Sequence, residues 1–440
     1  METHDTIESA TPRFGRLRNF FRGVPLIGWL TGALAAVLAE QFVGLDLAYE
    51  LDLPKIPVLL GFENFLKKPE LIPGTVLYVL LVYAVPILLT ARLIEVPANR
   101  LAGFLARRSP AVSIAIHLAL LYAALHLWSD VSDYRVIVVK ITLIAIMLTL
   151  SLNVVNGYMG EFSCSHPGFM ALGAYSASVF TIAFFTNSSM YGASLLPPAF
   201  GPFFFPVALV LGGLVAAVGA LAVAIPSFRT RGDYLAIISL AFLFIVKSLV
   251  ENLEILGGPR GMGGQPDWSN LPAVFISAVI CVGVINNFVR STYGKALNAV
   301  RDNEMAAEAM TVNTRRIKMI AFLFSAFWAG VAGALFAHVL RYVNPGTFGL
   351  QQLAELLAMM YFGGLNSVYG SIVGAVSINM LSEMLRPLEI WKWIFIPLLL
   401  ILVMIFRPTG LIAFRDFDPV RLIQPKGKER AKREARSSKS

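Results

Sequence analysis

The chain has 440 residues, of which 57% are hydrophobic and only 14% charged, with a formal net charge of +9. A soluble domain carries about 25% charged residues, so a water-soluble globular protein is excluded. The positive charge does not signal nucleic acid, because Arg415–Lys439 holds nine Lys/Arg against four Asp/Glu and so accounts for +5 of the +9. Cys164 and Cys281 lie far apart in or beside apolar segments, which argues against a disulfide framework and for cysteine as a small core residue.

Apolar runs of bilayer-spanning length recur along the whole chain, and they are continuous rather than alternating as in a β-barrel. The fold class is therefore all-α, a polytopic helical integral membrane protein of about 10–12 spans including broken or re-entrant elements. Residues 1–23, "METHDTIESATPRFGRLRNFFRG", open acidic, turn basic and carry no signal-cleavage pattern, so they read as a cytoplasmic segment. Candidate spans follow at 24–44, 75–94 and 111–128, within an N-terminal helical region over 24–130. Further candidates lie at 135–156, 168–186, 203–225, 234–251, 271–290, 317–339, 352–386 and 393–406, within a core over 131–415, followed by a basic tail over 416–440.

Loop charges orient these spans by the positive-inside rule. Arg13, Arg16, Arg18 and Arg22, then Arg92, Arg100, Arg107 and Arg108, then "FRTRGDY" at 228–234 and the basic residues of 291–318 mark the cytoplasmic side. Asp46, Glu50, Asp52, Glu63 and Glu70, the acidic "SDVSDY" and the 251–270 loop mark the outside. Eleven simple crossings would then leave the basic tail outside. A break at Gly363-Gly364 within "LAELLAMMYFGGLNSVYGSIVGAVSINML" makes two short elements and returns both termini to the cytoplasm.

Another interruption, earlier in the chain, lies at "NGYMGEFSCSHPGFMALGAYSAS", with Gly157, Gly160, Pro167, Gly168 and Gly173. Two readings stand: a tight turn whose small residues let helices pack closely, or a discontinuous helix lining a substrate path. Between 291 and 318 the chain leaves the bilayer. Tyr293, Ala296, Leu297, Val300, Ala307 and Met310 predict one apolar face of an amphipathic helix over 294–310, about 25 Å long. Its mixed-sign opposite face suits a protein groove better than an anionic lipid surface.

"YGKALNAVRDNEMAAEAMTVNTRRIKMIAFLFSAFWAGVAGALFAH" resembles the cytoplasmic coupling loop and following helix of branched-chain amino acid ABC transporter permeases of the LivM type. "LSLNVVNGYMGEFSCSHPGFMALGAYSAS", "RGDYLAIISLAF" with "GGPRGMGG", "NPGTFG", "FGGLNSVYGSIVGA" and "FRPTGLIAF" resemble that family's other blocks, in the family's order. The resemblance covers about 135–415 and implies an importer's inner-membrane permease subunit, not an enzyme, for branched-chain or related amino acids. Urea, short amides and aromatic acids are the alternative substrates within the family. An ion-driven secondary transporter is the rival outside it.

The implied partners are a second permease of the LivH type, two ABC ATPase subunits, a periplasmic substrate-binding protein and the lipid bilayer, with no nucleic acid. ATP and Mg would be bound by the ATPase subunits, leaving no cofactor or metal on this chain. Matched position by position, Gly294, Ala296, Arg301, Glu304, Ala306, Ala307, Ala309 and Met310 are the expected ATPase-coupling residues. Ala306, Ala307 and Ala309 are expected to permit close approach. Asn153, Gly157, Ser163, Ser165, Gly168, Tyr175, Gly363 and Gly364 are the expected path residues. The family usually has Gly after the "AM" pair; this chain has Thr311.

The sequence contains no G-x-x-x-x-G-K-[ST] phosphate-binding loop. "GMGGQ" at 261–265 reads as a Gly-rich turn rather than an ATPase signature. The histidines 4, 117, 126, 166 and 338 have no paired metal spacing. Lys140 and Glu251 are expected to reach an interface, whereas Lys247 and Glu355 are candidates for a path or inter-helix role.

Overall fold

The computed structural model describes residues 23–51, 71–188, 191–228, 234–386, 391–407, 410–414 and 417–425. The arginines of 13–22, the loop charges at 52–70, Arg229 and Arg231, and the tail beyond 425 lie outside the described residues. The chain divides into two compact units, Met1–Asp133 with Asp418–Ser440, and Tyr134–Phe417. Among the described residues nine helices are long and apolar enough to cross a membrane.

In the first unit, α1 (Leu26–Glu50) packs against α2 (Leu71–Val79), a π turn at Leu80–Ala84, and α3 (Val85–Leu93). A side chain on Gly32 would press on the Ile87 carbonyl, so glycine permits this close crossing. The Arg-bearing stretch expected only as a loop forms a further helix, α4 (Glu95–Arg108). Its Ala98, Ala102 and Leu105 recur at helical spacing and bury against Ile27, Ile116 and Leu120 of α1 and α5 (Pro110–Ser129).

The second unit contains α6 (Asp133–Asn153), α7 (His166–Phe185), α8 (Gly201–Ser227), α9 (Tyr234–Asn252), α10 (Leu271–Arg290), α11 (Thr292–Asp302), α12 (Glu304–Ala309), α13 (Thr314–Leu340), α14 (Leu350–Gly363), α15 (Val368–Met384) and α16 (Lys392–Phe406). The first unit's short α17 (Pro419–Leu422) follows. The core is α7, α8 and α13. Gly173, Gly212 and Gly330 meet there: a Cβ on Gly173 would overlap the Gly330 carbonyl, and one on Gly330 would lie 2.6 Å from the Gly212 carbonyl. Helices in lipid lack a hydrophobic force between them and associate through such backbone approach.

Hydrogen bonds between helices complete the core. His166 Nε2 bonds Ser325 Oγ at 2.8 Å, and Ser325 Oγ donates to the Ser151 carbonyl at 2.6 Å, tying α7, α13 and α6 together. Thr181 Oγ1 and His338 Nε2 lie 3.0 Å apart across α7 and α13. These two histidines therefore serve packing. The "GMGGQ" stretch is a turn built around strand β1 (Met262–Gly263), which pairs antiparallel with β2 (Tyr342–Val343), while Gln265 is buried and donates to Ser178 Oγ at 3.1 Å.

The single long candidate at 352–386 is two helices, α14 and α15, divided where Gly363-Gly364 predicts. Gly364 has φ 131, a conformation that a side chain rarely adopts. A Cβ on Gly363 would overlap the Gly370 carbonyl, so the two arms of the hairpin touch backbone to backbone.

A candidate coupling site

The cytoplasmic-helix expectation over 294–310 is corrected in one respect. The segment is not one helix but two, α11 and α12, joined at Asn303. Asn303 is extended (φ −162, ψ 105) and its Oδ1 accepts from the Ala306 N–H at 3.0 Å, so it caps a new helix instead of continuing the old one. The break resets the helical phase. Gly294, Leu297, Val300 and Ala307 are buried, but Met310, assigned to the same face and lying beyond the break, is 77% exposed; Tyr293, at the start of α11 before the break, is 46% exposed. Gly294 sits where a Cβ would overlap the Val289 carbonyl, which lets α11 fold back tightly on the end of α10.

Beyond α12 the Thr311 departure has a structural consequence. Thr311 takes the left-handed conformation, φ 67, that glycine normally supplies at a helix end. Its N–H donates to the Glu308 carbonyl at 3.0 Å, and the Val312 N–H to the Ala307 carbonyl at 3.1 Å. The helix stop is thus made without glycine, with a β-branched residue held in a disfavoured conformation.

The first interruption begins inside α6. After Asn153 the helix widens into a π turn, Val154–Met159, and stops at Gly160, φ 76. Residues 161–165 run without helix, and α7 starts at His166 with Pro167 in its first turn, where the missing N–H costs nothing. The strap is tied down: the Ser163 N–H donates to Asn156 Oδ1 at 3.2 Å, Ser163 and Ser165 hydroxyls share a 2.9 Å bond, and the Cys164 N–H donates to Ser239 Oγ at 2.9 Å.

Three contacts join the two interruptions, the coupling segment and the chain's closing stretch. First, Asn153 Nδ2 donates to Ser371 Oγ at 2.6 Å and to the Ser367 carbonyl at 3.1 Å, while its Oδ1 accepts from the Asn366 N–H at 3.1 Å. Second, Leu411 and Ile412 N–H groups donate to the carbonyls of Phe362 and Gly363 at 3.1 and 2.9 Å, zipping the closing stretch onto the Gly363-Gly364 break. Third, Arg301 lies with its guanidinium 5.4 Å from the Phe414 ring centroid, reaches the Gly157 carbonyl at 3.5 Å, and lays its stem where a Gly160 side chain would be. A cavity of about 420 Å³ borders this junction, walled by Tyr158, Asn298, Asn366 and Phe414.

One further residue organises the site. Lys318, on the first turns of α13, is 8% exposed, and its Nζ lies 2.7 Å from Glu161 Oε1 and 2.9 Å from Glu304 Oε2. Glu308 adds a second tie between α12 and α13 by accepting from Thr314 Oγ1 at 2.9 Å. The sequence offered Lys318 only as one of several loop cations.

The expected residues therefore fall into groups. Arg301 meets the first interruption directly, Glu304 is linked to it only through the shared Lys318–Glu161 pair, and Gly294, Leu297 and Ala307 hold the segment to its own chain. Ala306, Ala309 and Met310 face outward, as does Met305 at 78% exposed, with Ala296 at intermediate burial. Asn153, Gly157, Ser163, Ser165, Gly168, Tyr175, Gly363 and Gly364 are all buried within this unit. Asn153, Gly363 and Gly364 come together, whereas Gly168 packs under Phe242 and Tyr175 reaches the Val343 carbonyl at 3.4 Å, away from that joint. Lys247 pairs with Glu251 at 3.8 Å, and Glu355 accepts from Ser382 at 3.1 Å between α14 and α15.

A family model described as the branched-chain amino acid transport system permease component matches residues 134–405. The high-affinity branched-chain amino acid transport system permease protein LivM of Escherichia coli (strain K12) is 32% identical over 317 residues, covering 64% of this chain and 71% of that protein. LivM of Salmonella typhimurium matches at the same identity and coverage. LivH of Escherichia coli (strain K12) is 26% identical over 151 residues, covering 33% of this chain and 48% of that protein. No solved structure matches.

Proposed function

Because the chain belongs to the permease family of branched-chain amino acid transport systems, we propose that it is the membrane-embedded permease subunit of an ABC importer. It would work beside a second permease subunit of the LivH type, with two ATPase subunits and a periplasmic binding protein supplying energy and substrate. Branched-chain or related amino acids are the substrate class. The chain is a multi-pass inner-membrane protein, and with the α14–α15 hairpin counted as two passes both termini and the 291–318 segment lie in the cytoplasm.

The observation that carries this reading is the joint itself. A segment outside the bilayer, α11–α12, is bound to the stretch that connects the spans α6 and α7, directly through Arg301 on the Gly157 carbonyl and indirectly through Glu304, whose partner Lys318 also holds Glu161. A motion imposed on α12 therefore reaches the interrupted helices through contacts, with no need for a flexible linker. In this topology both interruptions lie at the cytoplasmic ends of spans, so such a motion would pass to α6, α7, α14 and α15 at that face. Burial supports a docking face on α12. Ala307 faces its own chain, so the surface offered to an ATPase centres on Met305 and Met310, flexible and polarisable anchors that adapt to a groove.

The test is uptake into proteoliposomes holding this chain, a LivH-type permease, the ATPases and a binding protein. ATP-dependent accumulation of leucine, isoleucine or valine is the expected result. Uptake confined to urea, amides or aromatic acids would move the substrate class. Uptake driven by a proton or sodium gradient without ATP would overturn the reading.

A further inference from the structure

The buried cation at the foot of α13 has an arrangement that the transport reading does not require. A buried lysine needs a counter-charge, since breaking a buried pair leaves an uncompensated charge in a poor dielectric. One carboxylate would satisfy it. Lys318 has two, from different elements: Glu161 on the strap after the first interruption and Glu304 at the start of α12. The two partners are unequal. Glu161's side chain is 26% exposed and Glu304's is 47% exposed, against 10% for the lysine.

The geometry points to a releasable latch: Lys318–Glu161 is the permanent pair, and Glu304 is a second carboxylate that detaches when α12 moves and re-engages when it returns. Either carboxylate can leave without stranding the lysine, and water takes back the more exposed one at less cost. Lys318 is then a positioning residue that fixes α12 against the strap in one state of the cycle. The Thr314–Glu308 bond ties the opposite, C-terminal end of α12 to α13, and Thr311 marks the hinge beside it. This inference rests on the transport reading only for its role in the cycle; the latch itself is a property of this chain alone.

The test has two arms. In the purified full-length chain without partners, spin labels at Met305, 78% exposed at the start of α12, and Arg315 report the α12–α13 separation. Glu304→Gln is expected to broaden that distribution while leaving the thermal midpoint near wild type. Glu161→Gln should lower the midpoint and leave the distribution narrow, and Lys318→Arg, which keeps both pairs, should match wild type. An unchanged distribution in Glu304→Gln overturns the latch whether or not any ATPase binds.

In the assembled transporter, Glu304→Gln should raise ATP hydrolysed per substrate imported by about fivefold, the lower range of a site-to-site coupling free energy. An unchanged ratio overturns the latch's part in the cycle. Failure of the wild-type chain to bind any ATPase would instead count against the transport reading, and leaves the first arm decisive.

Discussion

Asn153 and Ser371 stand 218 positions apart and share a 2.6 Å hydrogen bond that closes the two interruptions of the helical core onto each other. Asn153 is 1% exposed and uses both ends of its amide, donating to Ser371 and Ser367 and accepting from the Asn366 N–H. Replacing it strands several buried partners at once. Asn153→Leu is expected to cost about 2–4 kcal/mol, because each orphaned buried group costs about 1–3. A denaturation series in detergent measures this. Asn153→Ala and Ser371→Ala should also be non-additive, and strict additivity would show that they do not act as one unit.

The Gly363 contact predicts a size effect. Gly363→Leu would drive a side chain into the Gly370 carbonyl and should destabilise by about 1–3 kcal/mol or more, the usual range for overpacking. Ile401, 54% exposed on α16, is the control, and Ile401→Leu should change the midpoint little. Equal shifts in the two variants would mean that the hairpin arms are not in backbone contact.

Thr311 predicts a gain. Glycine at φ 67 removes a conformational cost of about 1 kcal/mol, so Thr311→Gly should slow hydrogen exchange of the 304–312 amides by about fivefold. Faster exchange would show that the hydroxyl or methyl group contributes more than the conformation costs.

Reporter fusions test the orientation. One at the C-terminus and one inserted at Asn303 should both report cytoplasmic. Opposite readings would mean that α14 and α15 do not make two passes.

The spans were legible in the sequence because hydrophobic length is a local property, and Gly363-Gly364 marked its break because paired glycines interrupt an apolar run. The turn of α12 was not legible. An amphipathic pattern read at a constant 3.6-residue period runs through Asn303, but a capping side chain there resets the phase, so Met310 moves from the buried face to the surface. Nor were Lys318, Glu161, Asn366 and Phe414 legible as members of the site. Their partners lie 144 to 213 residues away in the cases of Arg301–Gly157, Lys318–Glu161 and Asn366–Asn153, and no periodicity encodes such pairings. Phe414 had one local signal only after the fold was known, a left-handed φ of 53 at an aromatic residue.

The exposed face of α12 is the proposed dock for an ATPase. Ala307→Arg would test it poorly, because Ala307 is 5% exposed and the change would first disturb the permease's own packing. The direct measurement is retention of the cognate nucleotide-binding subunit on affinity-purified permease carrying Met305→Asp with Met310→Asp. Membrane insertion and thermal midpoint should match wild type, while ATPase retention falls by at least about tenfold, as expected when interface anchors are removed. Retention at the wild-type level in a correctly inserted double variant would rule out docking through this face, and α12 would then be a surface helix with no part in coupling.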